Sequence, residues 1–261
     1  MNTRYAVWLD NHGLHDLDET ILITDIQEAN PRMRITTADN ARYEGQRVIR
    51  HARQSLSVTV SFLIREYDAA RRKALCTQVC AWAVNGGWLT TSDRPGQQLQ
   101  VLCESLPAAS TLHWTEPLSI TFTAYEQPYW QDEHPILYPI DVAAGVESTL
   151  TLMPQGNAPY AFLEADITNT SPYTMTELSI RAGDTQFHLA DAALLPVGEM
   201  LCIAYDRHGF LTIRSGSTSM LHARSAASSD DLLMVPGQAC EAGVTCSQHA
   251  HAVLKARGLY L

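Results

Sequence analysis

The chain has 261 residues, 46% hydrophobic and 18% charged, a balance that suits one large or two small globular domains and excludes global disorder. Its 28 acidic residues outnumber 18 basic ones, for a formal net charge of -10, which repels phosphates and argues against tight nucleic-acid binding. No run approaches the roughly eighteen apolar residues that span a bilayer, and Asp10 interrupts the first apolar stretch where a signal peptide would continue it; a soluble protein, neither secreted nor membrane-embedded, is expected.

Residues 20–28 and Met33–Thr37 read as early strands. From 55 to 65 the pattern is plainer: Leu56, Val58, Val60, Phe62 and Ile64 alternate with Ser55, Ser57, Thr59, Ser61 and Arg65, and only Leu63 breaks it. Successive strand side chains point to opposite faces, so this strand has one buried face and one hydroxyl-rich face. The period then changes. Tyr67, Ala70, Ala74, Leu75, Val79 and Trp82 fall on one side of a helix predicted from about Glu66 to Val84. Asp68 complements the helix dipole at its start, and Asn85-Gly86-Gly87 supplies the stop. Trp88–Thr91 resumes an extended pattern, and Ser92-Asp-Arg-Pro-Gly96 is a turn by composition. Leu99, Val101 and Cys103, then Leu118, Ile120, Phe122 and Ala124, mark two further strands with one wet face each. A domain boundary is expected near 131–140, where acids and prolines cluster.

The second half is a series of short strands with turns every eight to twelve residues. Strands are expected at Thr149–Met153, Ala161–Thr168, Glu177–Ala182, Thr185–Leu189, Met200–Tyr205, Phe210–Arg214, Asp231–Val235 and Val244–Leu254. The spacing predicts an antiparallel sandwich or jelly roll. No fixed-period repeat supports a solenoid or propeller.

Chemistry finds little support. There is no G-x-S-x-G, phosphate-binding loop, dinucleotide fingerprint or H-E-x-x-H; Ser215-Gly-Ser-Thr-Ser219 reads as a loop or strand edge. Asp230-Asp231, Glu164 with Asp166, and Asp16 with Asp18 are the carboxylate pairs, and solvated turn acids explain them better than a glycosidase dyad in an apolar cleft. Cys240, Cys246, His249 and His251 place four zinc-compatible donors within twelve residues. The cysteine gap exceeds the two to four residues of strong zinc patterns, so a polar strand with a free thiol is the plainer reading. Cys76 and Cys80, one helical turn apart, read as core thiols, and all six cysteines as reduced. Tyr129-Trp130 could stack on a sugar or base, but beside Pro128 at a strand end it reads as packing at a domain junction.

Several segments together resemble one family. They are Ser55–Phe62, the helix with Arg71-Arg72 and Val79–Trp82, Gly86-Gly-Trp-Leu89, Ser92–Gly96, Leu118–Tyr125 and Pro128-Tyr129-Trp130. In the second half they are Tyr205-Asp206, His208-Gly-Phe210, Leu233-x-x-Pro236-Gly237 and Arg257–Leu261. In order and spacing the chain resembles the Dit-like distal tail proteins of long, non-contractile-tailed phages. Gly156-Asn157-Ala158-Pro159 departs from that family's G-x-x-x-A-x-P spacing. The resemblance implies a mainly β fold with one α-helix in the first domain. Residues 1–131 would form a β-barrel-like, ring-forming domain with its helix at about 66–84. Residues 132–261 would form a galectin-like β-sandwich. It further implies a non-enzymatic subunit without metal or cofactor at the distal end of a phage tail. Six copies would form a ring between the tail-tube protein and the tail-tip or baseplate hub protein, carrying receptor-binding protein, with DNA only passing through the lumen. Pro128, Tyr129 and Trp130 are its motif residues, and its ring interface is unassigned. The alternative is a carbohydrate-binding tail module that attaches to the host cell wall.

Overall fold

A computed structural model describes residues 5–29, 33–39, 46–108, 115–206 and 209–261; the His208 of the resemblance lies outside them. The chain divides into two compact units, Met1–Trp130 and Gln131–Leu261. The fold is mainly β with one α-helix. Among the described residues none of the sheets closes into a barrel, and no helix is long and apolar enough to cross a membrane.

The first unit contains β1 (Val7–Leu9), β2 (His12–Gly13), β3 (Ile21–Glu28), β4 (Met33–Asp39), β5 (Gln46–Arg53) and β6 (Leu56–Ile64). These are followed by α1 (Ala69–Ala83), β7 (Gly87–Thr91), β8 (Gln97–Ser105) and β9 (Leu118–Ala124). One sheet runs in the order β2-β1-β7-β8-β9-β6-β3, while among the described residues β4 and β5 pair only with each other. The β6 alternation places Leu56, Val58, Val60, Phe62 and Ile64 at 1% exposure or less. At about 1.5–3 kcal/mol per buried side chain, these five contribute on the order of 10 kcal/mol before entropy is counted. On the other face, Ser57 Oγ lies 2.9 Å from Thr123 Oγ1 and Thr59 Oγ1 lies 3.3 Å from Thr121 Oγ1. The hydroxyl face is thus a cross-strand ladder between β6 and β9.

The helix is shorter than its periodicity suggests. Asp68 has extended backbone, and its carboxylate accepts from the Ala70 and Arg71 N–H groups at 2.7 and 3.0 Å; it is the N-cap, outside the helix. The buried stripe is Arg72, Leu75, Cys76, Val79 and Ala83, so the expected stripe is displaced. Tyr67 precedes the helix and is 76% exposed. Trp82 is half-buried, packs edge-on to Phe122 and donates its indole N–H to the His12 carbonyl at 2.9 Å. Gly86 ends the run with a φ of 63°, and a β-carbon there would collide with the Val101 carbonyl, so glycine is required.

The backbone bonds from Arg71 and Ala70 hold the Asp68 carboxyl below its ordinary 3.8. A depressed carboxyl stabilises the fold fully above its unfolded value and loses that contribution as pH falls. Asp68→Ala is therefore expected to lower the thermal midpoint at neutral pH. The gap from the parent should narrow as the pH is taken below 3.8. Equal midpoints at pH 7 would refute the capping role.

Unit 2 starts at Gln131, within the short strand β10 (Trp130–Asp132). Its strands are β11 (Ile136–Val142), β12 (Ser148–Leu152), β13 (Ala161–Asn169), β14 (Met175–Ala182), β15 (Thr185–Leu195) and β16 (Met200–Tyr205). Then come β17 (Leu211–Ser215), β18 (Thr218–Ser219), β19 (Leu233–Met234), β20 (Cys240–Cys246), β21 (Ala250–Ala256) and β22 (Leu259–Tyr260). Two sheets, β11-β21-β13-β16-β17-β18 and β12-β20-β14-β15, enclose one apolar core in which Phe187, Leu163, Ile167 and Leu254 are fully buried. Two expectations change. The proline-bearing segment at 136–142 is a strand, because β11 lies at a sheet edge, where Pro139 does not interrupt the pairing on its single partnered side. The expected single strand Val244–Leu254 is two strands in opposite sheets. The chain crosses over at Ser247, whose Oγ accepts the Thr176 and Glu177 N–H groups at 2.9 and 3.1 Å.

Candidate functional site

The expected motif Pro128-Tyr129-Trp130 is buried, and its aromatic pair sits in a polar knot of the first unit. Trp130, 1% exposed, donates its indole N–H to Glu28 Oε2 at 3.0 Å. Arg94 Nη2 reaches the same oxygen at 2.9 Å, and its guanidinium lies 5.2 Å from the Trp130 ring centroid. Arg53 lies 5.2 Å from the Tyr129 ring centroid. Burial pushes the Tyr129 phenol up and the Arg53 guanidinium down from their ordinary values. Arg53 Nε and Nη1 are buried without a hydrogen-bond partner among the described residues, so the aromatic face and the charge of Glu28 are what offset its desolvation. Glu28 ends β3 and Arg53 ends β5, so this knot clamps the root of the β4–β5 ribbon. The sequence signalled the aromatic anchor. It offered no pattern for Glu28, Arg53 and Arg94, which the fold gathers from three distant turns of the chain.

The donor set at 240–251 does not converge. Cys240 and Cys246 lie on β20 in one sheet; His251 lies on β21 in the other, its Nδ1 2.7 Å from Asp141 Oδ1. Cys246 is 1% exposed, and burial pushes its thiol up to about 12, which disfavours the thiolate a metal requires. His249 precedes β21 and accepts the Thr170 N–H on its carbonyl. No group of three or more metal-type donors occurs among the described residues. On α1, Cys76 and Cys80 both point their sulfurs at the Pro107 carbonyl, at 3.8 and 3.7 Å.

The carboxylate pairs have separate structural tasks. Asp16 accepts the Gly13 N–H at 3.1 Å, and Asp18 accepts both the N–H and the hydroxyl of Thr20 at 2.9 and 2.7 Å. Those Thr20 bonds, the hydroxyl first, hold the Asp18 carboxyl below its usual range. Asp166 pairs with Lys255 at 2.5 Å and Glu164 with Arg257 at 3.9 Å. Asp230 is exposed, and Asp231 is pushed up by burial and by its neighbour Asp230. Ser215 donates to the Glu199 carboxylate at 3.0 Å at the start of the β17–β18 turn, a contact that ties this turn to the start of β16. A hollow of about 640 Å³ lies in the first unit between the β1–β2 turn and α1, lined by Leu9, His12, Leu17, Ala81 and Trp82 among others. None of these places assembles a catalytic constellation.

The loosely matched Gly156 has a φ of 107° and abuts the Leu259 carbonyl, which accepts the Asn157 and Ala158 N–H groups at 3.0 and 3.1 Å. That turn therefore secures the C-terminal segment in the second unit.

No family model matches the chain, and no curated protein matches it. Solved structures do. The chain is similar to the phage SPP1 Dit protein, gp 19.1, described as a paradigm of the hub adsorption apparatus in Gram-positive infecting phages. Identity is 12%, the alignment covers 97% of this chain and 98% of that one, and the TM-score is 0.69. A chain of the phage P2 baseplate in its activated, Ca-containing conformation matches at 11% identity, with 97% of each chain covered and a TM-score of 0.53. The chain therefore has the fold of the phage Dit hub protein along nearly its whole length.

Proposed function

We propose that this chain is a structural distal tail subunit of a phage. Six copies would form a ring joining the tail tube to the baseplate or tail tip, and the second unit would carry receptor-binding components. Pro128, Tyr129 and Trp130 serve the fold of the ring-forming unit, and residues 132–261 form the galectin-like platform. The observation that carries this reading is the likeness to the SPP1 Dit protein, which extends through both units. The acidic composition supports a ring that lets DNA pass without holding it. Asp16, Asp18, Glu164, Asp166 and Ser215 each have a structural partner, which supports a non-enzymatic role. The carbohydrate-binding alternative has less support. Phe162 and Tyr205 stack at 4.0 Å and Tyr160 packs edge-on to Phe162, so these aromatic faces are used on one another.

Light scattering of the purified full chain over a range of concentrations, with negative-stain imaging, tests the proposal. A mass six times that of one chain with ring-shaped particles is the expected result. A monomer at every concentration, or glycan binding by such a monomer, would overturn it.

A further inference from the structure

We infer that the β4–β5 ribbon is a docking arm that grips a second copy of this chain; the inference rests on the ring reading and names the element that makes the contact. Among the described residues the ribbon's strands pair only with each other. Their apolar side chains are left in solvent: Met33 is 47% exposed, Ile35 57%, Val48 56% and Ile49 64%. Ile49 falls at a bulge, between Val48 opposite Thr37 and Arg50 opposite Thr36, and with its neighbour Val48 it forms a sticky patch on the ribbon. A two-stranded ribbon is marginal in water by itself, and each of its strands has one unpaired edge that can accept a further strand. The root is nevertheless fixed, because Glu28 and Arg53 belong to the knot around Tyr129 and Trp130. A rooted arm loses less freedom on binding than a floppy one.

Charge selects the occupant. Without Arg53 of the root, residues 33–52 carry four arginines against two acids, which leaves 14 basic and 26 acidic residues in the rest of the chain. The arm is basic and the body strongly acidic, so arm-on-arm pairing is repelled and arm-on-body pairing attracted. Complementarity of that kind is heterologous: one copy's arm meets a different face of the next, and such contacts close into a ring when the rotation permits. A symmetric two-fold pair would set arginine against arginine.

The test uses the full chain and two variants that remove different groups, Ile35→Ser/Ile49→Ser and Arg34→Glu/Arg47→Glu/Arg50→Glu. Assembly is followed by light scattering at low and at about 1 M salt, thermal midpoints by calorimetry, and binding to a labelled DNA duplex by anisotropy. Each variant is expected to keep the parent's midpoint and to raise the concentration for half-assembly by about tenfold or more. Salt should weaken assembly of the parent much more than that of the arginine variant. If both variants assemble like the parent, the arm is not the contact, and the ring reading stands without it. If the parent never assembles, both readings fall. Should the arginine substitutions abolish duplex binding while assembly is unchanged, the arm's partner is DNA and the inference is overturned. A folding defect in one variant leaves the other as the test.

Discussion

Trp130→Ala is expected to destabilise the first unit by about 3–5 kcal/mol, a drop of roughly ten degrees or more in its calorimetric transition. The indole is 1% exposed, so its removal leaves a cavity that the sheet cannot collapse. It also takes from Glu28 a neutral donor at 3.0 Å and from Arg94 its aromatic face. Trp130→Phe separates the two losses. It keeps most of the ring and removes only the N–H, at an expected cost of about 1–3 kcal/mol. Glu28→Gln should resemble Trp130→Phe in size, because it weakens the ion pair with Arg94 and withdraws the charge that helps hold Arg53. If Trp130→Ala cost less than about 1 kcal/mol, the knot would not be a structural anchor. The hairpin arm should feel the same change, since the knot holds its root: in Trp130→Ala, exchange protection of β4 and β5 amides is expected to fall with that of β3.

Asn169→Asp is the second large effect, and it should exceed Asn169→Ala. The Asn169 side chain is almost fully buried. Its Nδ2 donates toward the carbonyls of Tyr173, Leu195 and Pro196 at 2.8, 3.0 and 3.3 Å, while its Oδ1 accepts the Ser171 N–H at 3.0 Å. Alanine leaves those groups without the amide, at about 2–4 kcal/mol. Aspartate replaces the donor by a charge facing three carbonyl oxygens, at about 3–5 kcal/mol. A carboxyl in that position is pushed above its unfolded value of about 3.9. Its folded form then binds the proton more tightly than the unfolded chain, so the variant loses stability as pH rises between the two values. Urea unfolding of parent and variant at pH 4 and pH 8 checks this, with the wider gap expected at pH 8. A variant as stable as the parent at pH 8 would mean that the amide does not tie the 170–173 and 195–198 loops together. Those loops expose Tyr173 and Val197, at 68% and 53%, so the same variant is expected to loosen the surface they present.

Patterns that live within one strand or one turn of helix were legible in the amino-acid sequence. The alternation over Leu56–Ile64 specified a two-faced strand, because its side chains project to the two faces whatever the strand pairs with. The stop at Gly86 was legible because the left-handed backbone it needs is a local property. The edge strand β11 was hidden by Pro139, whose tolerance depends on having a neighbour on one side only. The hairpin of β1 and β2 was missed although Asp10 and Asn11, both at positive φ, form its turn; a strand as short as β1 is joined to the rest of the sheet by β7, some eighty residues away.

The candidate site divides in the same way. Sequence determined that Tyr129 and Trp130 would be buried anchors beside Pro128, since large aromatics at a strand end have few other places to go. Tertiary structure alone decided that Glu28, Arg53 and Arg94 would meet them, because ion pairing carries no periodicity along the chain. It likewise separated Cys240 and Cys246 from His251, although twelve residues hold them all. Proximity in sequence brings donors together only when the backbone stays in one layer, and here the chain crosses at Ser247 from one sheet to the other.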